Sequence, residues 1–318
     1  MLDSGSGSKW LNSGIIYREG TLTDVYEQIP IFERRTFAIT QPDNQRSRLN
    51  EKLDTIVRLP LGDDQSYVPI GVVSKAYTLV QHKEVFEAAT KALEDSKIPA
   101  SEVKASLNIT EYGERMELSF CLPAQYNFDP GDGYPMALRM ELLNSVDGST
   151  RFQALLGWFR FVCSNGLIIG VTQSDIRYRH AGELQLGDVQ NVLNAGLKKS
   201  DTEKKNFEDW RKKAISPNSL ISWVNENLKK EWGFKAAARA FCIARTGFDG
   251  EILGQYKGNQ PTTILMKKTK HVPGSPKKCD NLFDVSQILA WLAKERRDVQ
   301  EQLQWREQIP ELLKPLST

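Results

Sequence analysis

The first half of the chain alternates short runs of apolar residues with clusters of turn formers. Strand-like runs cover residues 35–40, 54–61 and 67–74, and Pro-Asp-Asn and Gly-Asp-Asp clusters separate them. Residues 81–93 then carry apolar side chains at helical spacing. The pattern therefore predicts a β–β–β–α order for this part of the chain.

The strand-like runs that follow come in pairs joined by tight connections. They cover residues 103–110 with 115–122, residues 136–143 with 152–162, and a last run at residues 166–171. In the second connection Gly148 follows Asp147 and supplies the positive φ that a tight turn needs. Adjacent short strands with short connections favour an antiparallel sheet over parallel βαβ units.

The hydrophobic period changes from two to 3.6 residues in the second half. Helices are predicted for residues 189–197, 201–215, 217–230 and 235–245. The expected fold class is α+β, with an antiparallel β-sheet in the N-terminal half and a helical C-terminal half. The expected segments are a flexible N-terminus (1–16), a β-rich domain (17–182), a helical region (183–253), a basic Gly/Pro/Lys loop (254–280) and a C-terminal amphipathic helix (281–318).

Charge and cysteine usage narrow the class of protein. Lys and Arg number 42 against 40 Asp and Glu, so attraction to nucleic acid must come from local patches. The four cysteines, Cys121, Cys163, Cys242 and Cys279, stand singly without a CxxC pair, which disfavours a disulfide framework or a local zinc site. The first residues are polar, and no apolar run reaches the ~20 residues of a membrane span. We therefore expect a cytoplasmic protein without a membrane segment.

Two basic regions are candidate nucleic-acid contacts. The first interleaves cations with aromatic residues, as single-strand binding surfaces do, and consists of Arg151, Arg160, Arg177, Arg179 and His180. Its aromatic residues can instead form a core, and Arg160 can instead pair with Glu117 or Glu141.

The second basic region lies in residues 252–279, which contain no carboxylate before Asp280. Its lysines are Lys257, Lys267, Lys268, Lys270, Lys277 and Lys278. Clustered cations on a mobile surface segment suit phosphate contacts, although an ordinary solvated loop has the same composition.

Catalytic motifs are absent from the sequence. It contains no GxSxG, Walker A or HExxH pattern, and three histidines limit metal sites and His-based triads. Scattered carboxylates such as Asp129, Asp132 and Glu141 leave a Mg²⁺-dependent nuclease open. We expect no cofactor and no metal site.

Three stretches of the chain carry a family resemblance. The first is residues 67–86, YVPIGVVSKAYTLVQHKEVF, and the third is Tyr178-Arg179-His180. The second and most specific stretch contains Asn144, Ser145, Asp147, Gly148 and Ser149, followed by Arg160, Val162, Cys163 and Asn165. Together they resemble the family of domain of unknown function 932, which occurs in phages, plasmids and integrative elements. The chain departs from the pattern at Trp158-Phe159, where a Pro-Val type pair is commoner.

The resemblance implies a mobile-element setting and no particular reaction. The second stretch forms either a structural hairpin or a polar turn presented to a phosphate or a partner. The leading hypothesis is a non-catalytic nucleic-acid-binding protein of a phage or mobile element, related to recombination or single-strand annealing, with single-stranded DNA as partner and a possible homo-oligomeric state. The alternatives are a phage protein that binds and inhibits a host defence protein, and a metal-dependent nuclease.

Cys163 is expected to be buried and unreactive among apolar neighbours.

Overall fold

The computed structural model describes residues 15–40, 47–160, 167–171, 176–178, 188–253, 256–257, 260–261, 265–276, 278–296 and 299–317. These residues form two compact units, each assembled from separate stretches of chain. The described residues within Met1–Tyr126, Leu138–Gly157 and Thr172–Lys198 form the first unit, and those within Asn127–Ala137, Trp158–Val171 and Lys199–Thr318 form the second. Antiparallel sheets dominate the N-terminal half and helices the C-terminal half, so the predicted α+β class is confirmed.

The elements follow one another in this order along the chain. The strands are β1 (Ile15–Gly20), β2 (Phe32–Thr40), β3 (Ser47–Arg58), β4 (Val68–Ser74), β5 (Lys104–Thr110), β6 (Arg115–Cys121), β7 (Met136–Ser145), β8 (Phe152–Arg160), β9 (Leu167–Val171), β10 (Ile176–Tyr178), β11 (Phe248–Leu253), β12 (Tyr256–Lys257), β13 (Gln260–Pro261) and β14 (Leu265–His271). The helices are α1 (Leu22–Tyr26), α2 (His82–Asp95), α3 (Asp188–Lys212), α4 (Pro217–Trp223), α5 (Lys229–Thr246), α6 (Leu282–Lys294) and α7 (Val299–Ser317). A π-helical turn, Val224–Leu228, connects α4 to α5.

The main sheet has the strand order β1-β5-β6-β7-β8-β10. The sequence of β5 has the alternation of a strand with one buried face. Ala105, Leu107 and Ile109 alternate with more polar residues and are all buried. Helix α2 packs on the sheet through Phe86, whose ring contacts that of Phe120 edge-on at 5.2 Å between centroids. The helix pattern predicted for residues 81–93 is therefore confirmed.

A second sheet has the order β2-β3-β4 and precedes α2, so the predicted β–β–β–α order is also confirmed. Its buried side packs Phe32, Ile56 and Val73 against Val146. The register of β2 with β3 shifts between Thr36 and Ala38, beyond which the two strands continue as an exposed hairpin. The small sheet thus has a packed base and a solvent-exposed distal part.

The second unit is built around helices. Every residue from Leu282 to Ala293 is buried, so α6 is a core helix and not an amphipathic surface helix. The predicted single helix over residues 281–318 is wrong, because α6 ends at Lys294 and α7 begins at Val299. The two helices predicted at residues 189–197 and 201–215 are instead joined in α3. No helix in the described ranges combines the length and apolarity needed to cross a bilayer.

The predicted loop at residues 254–280 contains strands. Strand β14 pairs antiparallel with β11, and the short strands β12 and β13 pair with each other. The Lys-rich composition predicted a loop, because β14 reads LMKKTKH and lacks an alternation of buried side chains. The segment is a strand because its backbone pairs with β11. Of the predicted flexible N-terminus, residues 1–14 lie outside the described residues, whereas Ile15 and Ile16 belong to β1.

Candidate nucleic-acid interface

The family stretches meet inside the first unit through a buried polar contact. Asn144 donates through Nδ2 to the Val80 carbonyl at 3.0 Å and to Nδ1 of His82 at 2.9 Å. His82 donates from Nε2 to the Gly113 carbonyl at 2.8 Å, which fixes its neutral tautomer. Asn144 and His82 are both fully buried. Their role in this geometry is to join α2 to β7.

The turn after β7 is also held by its own side chains. Ser149 donates to Asp147 Oδ1 from its backbone N–H at 3.0 Å and from its hydroxyl at 2.6 Å. Gly148 has a φ of +78°, and a Cβ there would lie 3.2 Å from the Tyr77 ring. Tyr77 in turn donates to the Ser145 carbonyl at 3.2 Å. Burial, followed by the Asp147 carboxylate, raises the pKa of Tyr77, so it stays a hydroxyl donor.

The family-motif residues within the described ranges therefore build a hairpin and its support. This geometry agrees with the structural interpretation of Asn144, Asp147, Gly148 and Ser149. Cys163 and Asn165 lie outside the described residues, and so does the expectation that Cys163 is buried.

Arg160 must be removed from the candidate phosphate contacts. Its side chain is 3% exposed and pairs with Asp132. Its guanidinium also lies 5.3 Å from the ring centroid of Tyr134 and 5.4 Å from that of Phe283. Burial lowers the pKa of Arg160, while the Asp132 carboxylate opposes that shift. An ion pair was foreseen as an alternative, but with Glu117 or Glu141 as the partner. The charge is thus satisfied inside the protein.

The first basic region does not form an aromatic platform in its described part. Phe152 and Trp158 are fully buried, as strand aromatics usually are. Arg151 is exposed at the start of β8 and remains available. Arg177 belongs to β10, where its side chain is not described, and Arg179 and His180 lie outside the described residues.

The second basic region is carried by the hairpin of β11 and β14, here called the basic ribbon. Lys267, Lys268 and Lys270 are exposed on β14. Lys268 lies over the Phe248 ring at 5.6 Å, and His271 meets the same ring edge-on at 5.1 Å. The ribbon thus places cations next to a partly exposed aromatic ring.

The remaining lysines of this region do not belong to β11 or β14. Lys278 is exposed beyond the ribbon, and Lys277 lies outside the described residues. Lys257 belongs to β12, and its side chain is not described. The structure therefore brings Lys267, Lys268 and Lys270 onto one strand, not onto the loop that the sequence predicted.

Asp249 anchors the basic ribbon to two helices. Its carboxylate accepts from Arg239 on α5 through Nε at 2.9 Å and Nη2, and from the Trp291 indole on α6 at 2.9 Å. Its Oδ1 also accepts from the Gly250 N–H at 2.7 Å. Burial acts to raise the pKa of Asp249, but these donors outweigh it and hold the pKa below its usual value. Strand β11, with which the lysine-bearing β14 pairs, is therefore held in place by a buried, well-satisfied charge.

Carboxylates reduce the net positive charge of the basic ribbon. Glu251 lies directly opposite Lys267 in the register, and Glu295 accepts from Lys270 Nζ at 3.2 Å. Lys270 also lies over the Trp291 ring at 4.6 Å. A cleft of about 430 Å³ adjoins the ribbon, and its charged lining residues are Lys235, Arg239, Asp249, Glu251, Lys270 and Glu295. The absence of carboxylates along the sequence thus overstated the local positive charge.

The carboxylates considered for a nuclease are engaged in structural contacts. Asp132 pairs with Arg160, and Glu141 pairs with Arg139 at 2.8 Å. Asp129 accepts from the Gly131 N–H at 2.8 Å. Among the described residues no group of three or more His, Cys, Asp or Glu is placed to hold a metal ion. These contacts give a metal-dependent nuclease no support.

Sequence reasoning missed the residues that position the ribbon. Asp249, Arg239 and Trp291 come from three separate elements, and no motif spacing links them. The local cue at this position, Asp249-Gly250, is turn chemistry in the sequence. In the structure both residues lie inside β11, so the cue does not identify the anchor.

Comparison with known proteins gives one family match and short matches to two bacterial proteins. A family model described as domain of unknown function (DUF932) matches residues 69–270. UPF0380 protein YfjQ and UPF0380 protein YafZ of Escherichia coli (strain K12) are each 46% identical to this chain over 43 residues. That match covers 14% of this chain and 16% of each of these proteins, so the chain spans a small part of their length. No solved structure matches.

Proposed function

The chain belongs to the family of domain of unknown function 932, and we propose that it is a non-catalytic nucleic-acid-binding protein of a phage or other mobile element. The observation that carries this proposal is the basic ribbon, with Lys267, Lys268 and Lys270 exposed on one strand. Phosphates are contacted by clustered cations without any need for a catalytic group.

The position of the ribbon supports this use. Asp249 ties β11 to α5 and α6, and β14 pairs with β11, so the backbone that carries the lysines is held and loses less conformational freedom on binding. Lys268 and His271 flank the ring of Phe248, which is 36% exposed. An exposed ring beside cations suits an unstacked base, so we propose single-stranded DNA as the preferred partner.

The proposal is tested by replacing the three ribbon lysines with Gln together. At low salt the wild type should bind labelled single- and double-stranded oligonucleotides, as measured by fluorescence anisotropy. The triple variant should bind at least about tenfold more weakly, and equally so for unrelated base sequences, because phosphate contacts are sequence-blind.

A matched control removes three lysines from another surface. Lys205, Lys212 and Lys213 are exposed on and just after α3, and their change to Gln gives the same change in net charge. This control should leave binding within about twofold of the wild type. Equal losses in both triple variants would mean that only net charge matters. Failure of the wild type to bind at low salt would overturn the proposal and favour the host-protein hypothesis.

The preference for single strands has its own test at Phe248. Phe248→Leu keeps an apolar side chain but removes the ring that lies beside Lys268 and His271. Affinity for single-stranded DNA should fall about five- to tenfold, whereas affinity for the duplex should change little. Equal effects on both nucleic acids would exclude base stacking at this ring.

A further inference from the structure

The distal part of β2 presents an unusual edge. Strand β2 ends the order β2-β3-β4, so one of its edges faces away from the small sheet. Residues 36–40 of this strand read Thr-Phe-Ala-Ile-Thr and contain no charge. Ile39 is 63% exposed, and Leu49, the partner of Ala38 on β3, is 59% exposed. Edge strands are normally protected by charges, proline or a covering element. Among the described residues no strand pairs with this edge of β2.

The same five residues are nearly symmetric about Ala38. Thr36 and Thr40 lie at equal distances on either side of it, and so do Phe37 and Ile39. An isologous two-fold interface needs a surface that complements itself, which a strand of this kind provides. We propose that residues 36–40 pair antiparallel with the same residues of a second copy of this chain.

The register of this pairing follows from the symmetry. With the two-fold axis at Ala38, Phe37 lies opposite the second copy's Ile39, and Thr36 lies opposite its Thr40. Aromatic with β-branched pairs and Thr with Thr pairs are favourable neighbours across antiparallel strands. The segment carries no charge, so self-pairing places no like charges opposite each other.

A second copy is the occupant that these features favour. Ile39 lies opposite Arg48 of β3, but residues 36–40 themselves contain no charged side chain. The segment therefore offers an identical strand a self-complementary edge and offers a polyanion no cation of its own. A five-residue pairing is a small interface, below about 1,200 Å², so the association should depend on protein concentration.

The first test is sedimentation equilibrium of the full chain over a wide concentration range. The wild type should show a monomer–dimer equilibrium that Ile39→Lys weakens at least tenfold, because the charge blocks edge pairing. The matched control is Val72→Lys, which changes a 48% exposed apolar residue on β4 at the opposite edge of the sheet. This control should associate like the wild type.

The second test determines the register by mild oxidation of variants that each add one cysteine, and the oxidised wild type measures crosslinking by the four native cysteines. Ala38→Cys should form a disulfide-linked dimer, because directly opposed Cα atoms lie about 4.5–5.5 Å apart. Thr36→Cys alone should not, since its copies would be about 13 Å apart along the strands. Mixing Thr36→Cys with Thr40→Cys should restore crosslinking.

Several outcomes would overturn this proposal. They are a wild type that stays monomeric at all concentrations, an unchanged equilibrium in Ile39→Lys, or crosslinking of equal yield at all three positions. Loss of binding to a different macromolecule in Ile39→Lys, with the wild type monomeric, would assign the edge to that other partner.

Discussion

Asn144 and His82 are 62 residues apart in the chain and share a buried hydrogen bond of 2.9 Å. The bond links the family stretch around β7 to the family stretch that opens α2. The two most recognisable parts of the sequence thus meet in one scaffold contact. This relationship gives residues of the family stretches a role in the scaffold of the first unit.

The first prediction concerns this contact. Asn144→Ala removes the amide that donates to the Val80 carbonyl and to His82 Nδ1. We expect the free energy of unfolding to fall by about 2–3 kcal/mol, as measured by urea denaturation. Asn225→Ala, at an exposed Asn that donates to its own helix, should cost less than about 0.5 kcal/mol. Equal costs at the two sites would contradict a structural role for Asn144.

The second prediction concerns Gly148. An alanine there must keep a φ of +78° and place its Cβ 3.2 Å from the Tyr77 ring. We expect Gly148→Ala to destabilise the protein by about 2–3 kcal/mol in thermal or urea unfolding. Gly131→Ala, also at positive φ but with nothing within 4 Å, should cost only about 1 kcal/mol. A larger cost at Gly131 would show that contact with Tyr77 is unimportant.

The third prediction is a pH dependence of stability. Burial raises the pKa of Glu203 from 4.5 to about 7, although Trp158 donates to its carboxylate at 2.9 Å. The unfolded chain therefore loses this proton at lower pH than the folded protein, and stability falls as pH rises from 4.5 to 7. Glu203→Gln cannot ionise, so it should be about 1–2 kcal/mol more stable than the wild type at pH 8. At pH 5 the difference should nearly vanish, and an equal difference at both pH values would refute the raised pKa.

The fourth prediction concerns the anchor of the basic ribbon. Asp249→Asn replaces a charge that accepts from both Arg239 and Trp291. We expect a loss of about 2–3 kcal/mol in the free energy of unfolding and faster hydrogen exchange along β14. Glu251→Gln on the same strand is the control, because Glu251 is exposed, and it should change stability by less than about 0.5 kcal/mol. Unchanged exchange in Asp249→Asn would mean that the ribbon does not depend on this anchor.

Much of the fold was readable from the sequence because the hydrophobic period is local. The alternation in β5 and the helical spacing in α2 each need only a few neighbouring residues. Strand β1 was missed because its pairing with β5 joins Ile15 to Thr110, and nothing in its own short sequence indicates that partner. Strand β14 was not predicted because its exposed lysines give no strand pattern. It forms through backbone pairing with β11, which the local sequence does not indicate.

The candidate site was harder to predict, because it depends on distant partners. The sequence offered Arg160 a phosphate or a carboxylate such as Glu117 or Glu141, but its partner is Asp132, 28 residues earlier in the chain and within the second unit. Lys267 looked free of carboxylates until the hairpin placed Glu251 opposite it. Sequence charge counts describe the chain, whereas binding depends on the charges that the fold brings together.

The salt dependence of oligonucleotide binding tests the proposed role of the basic ribbon most directly. The logarithm of the association constant is measured against the logarithm of salt concentration for the wild type and for the variant with Gln at positions 267, 268 and 270. Each lost phosphate contact should flatten the slope by about 0.7 for single strands and 0.9 for duplexes. The variant should therefore lose about two to three units of slope, while Gln at positions 205, 212 and 213 should leave it unchanged. An identical slope in the wild type and the ribbon variant would contradict phosphate binding by the basic ribbon.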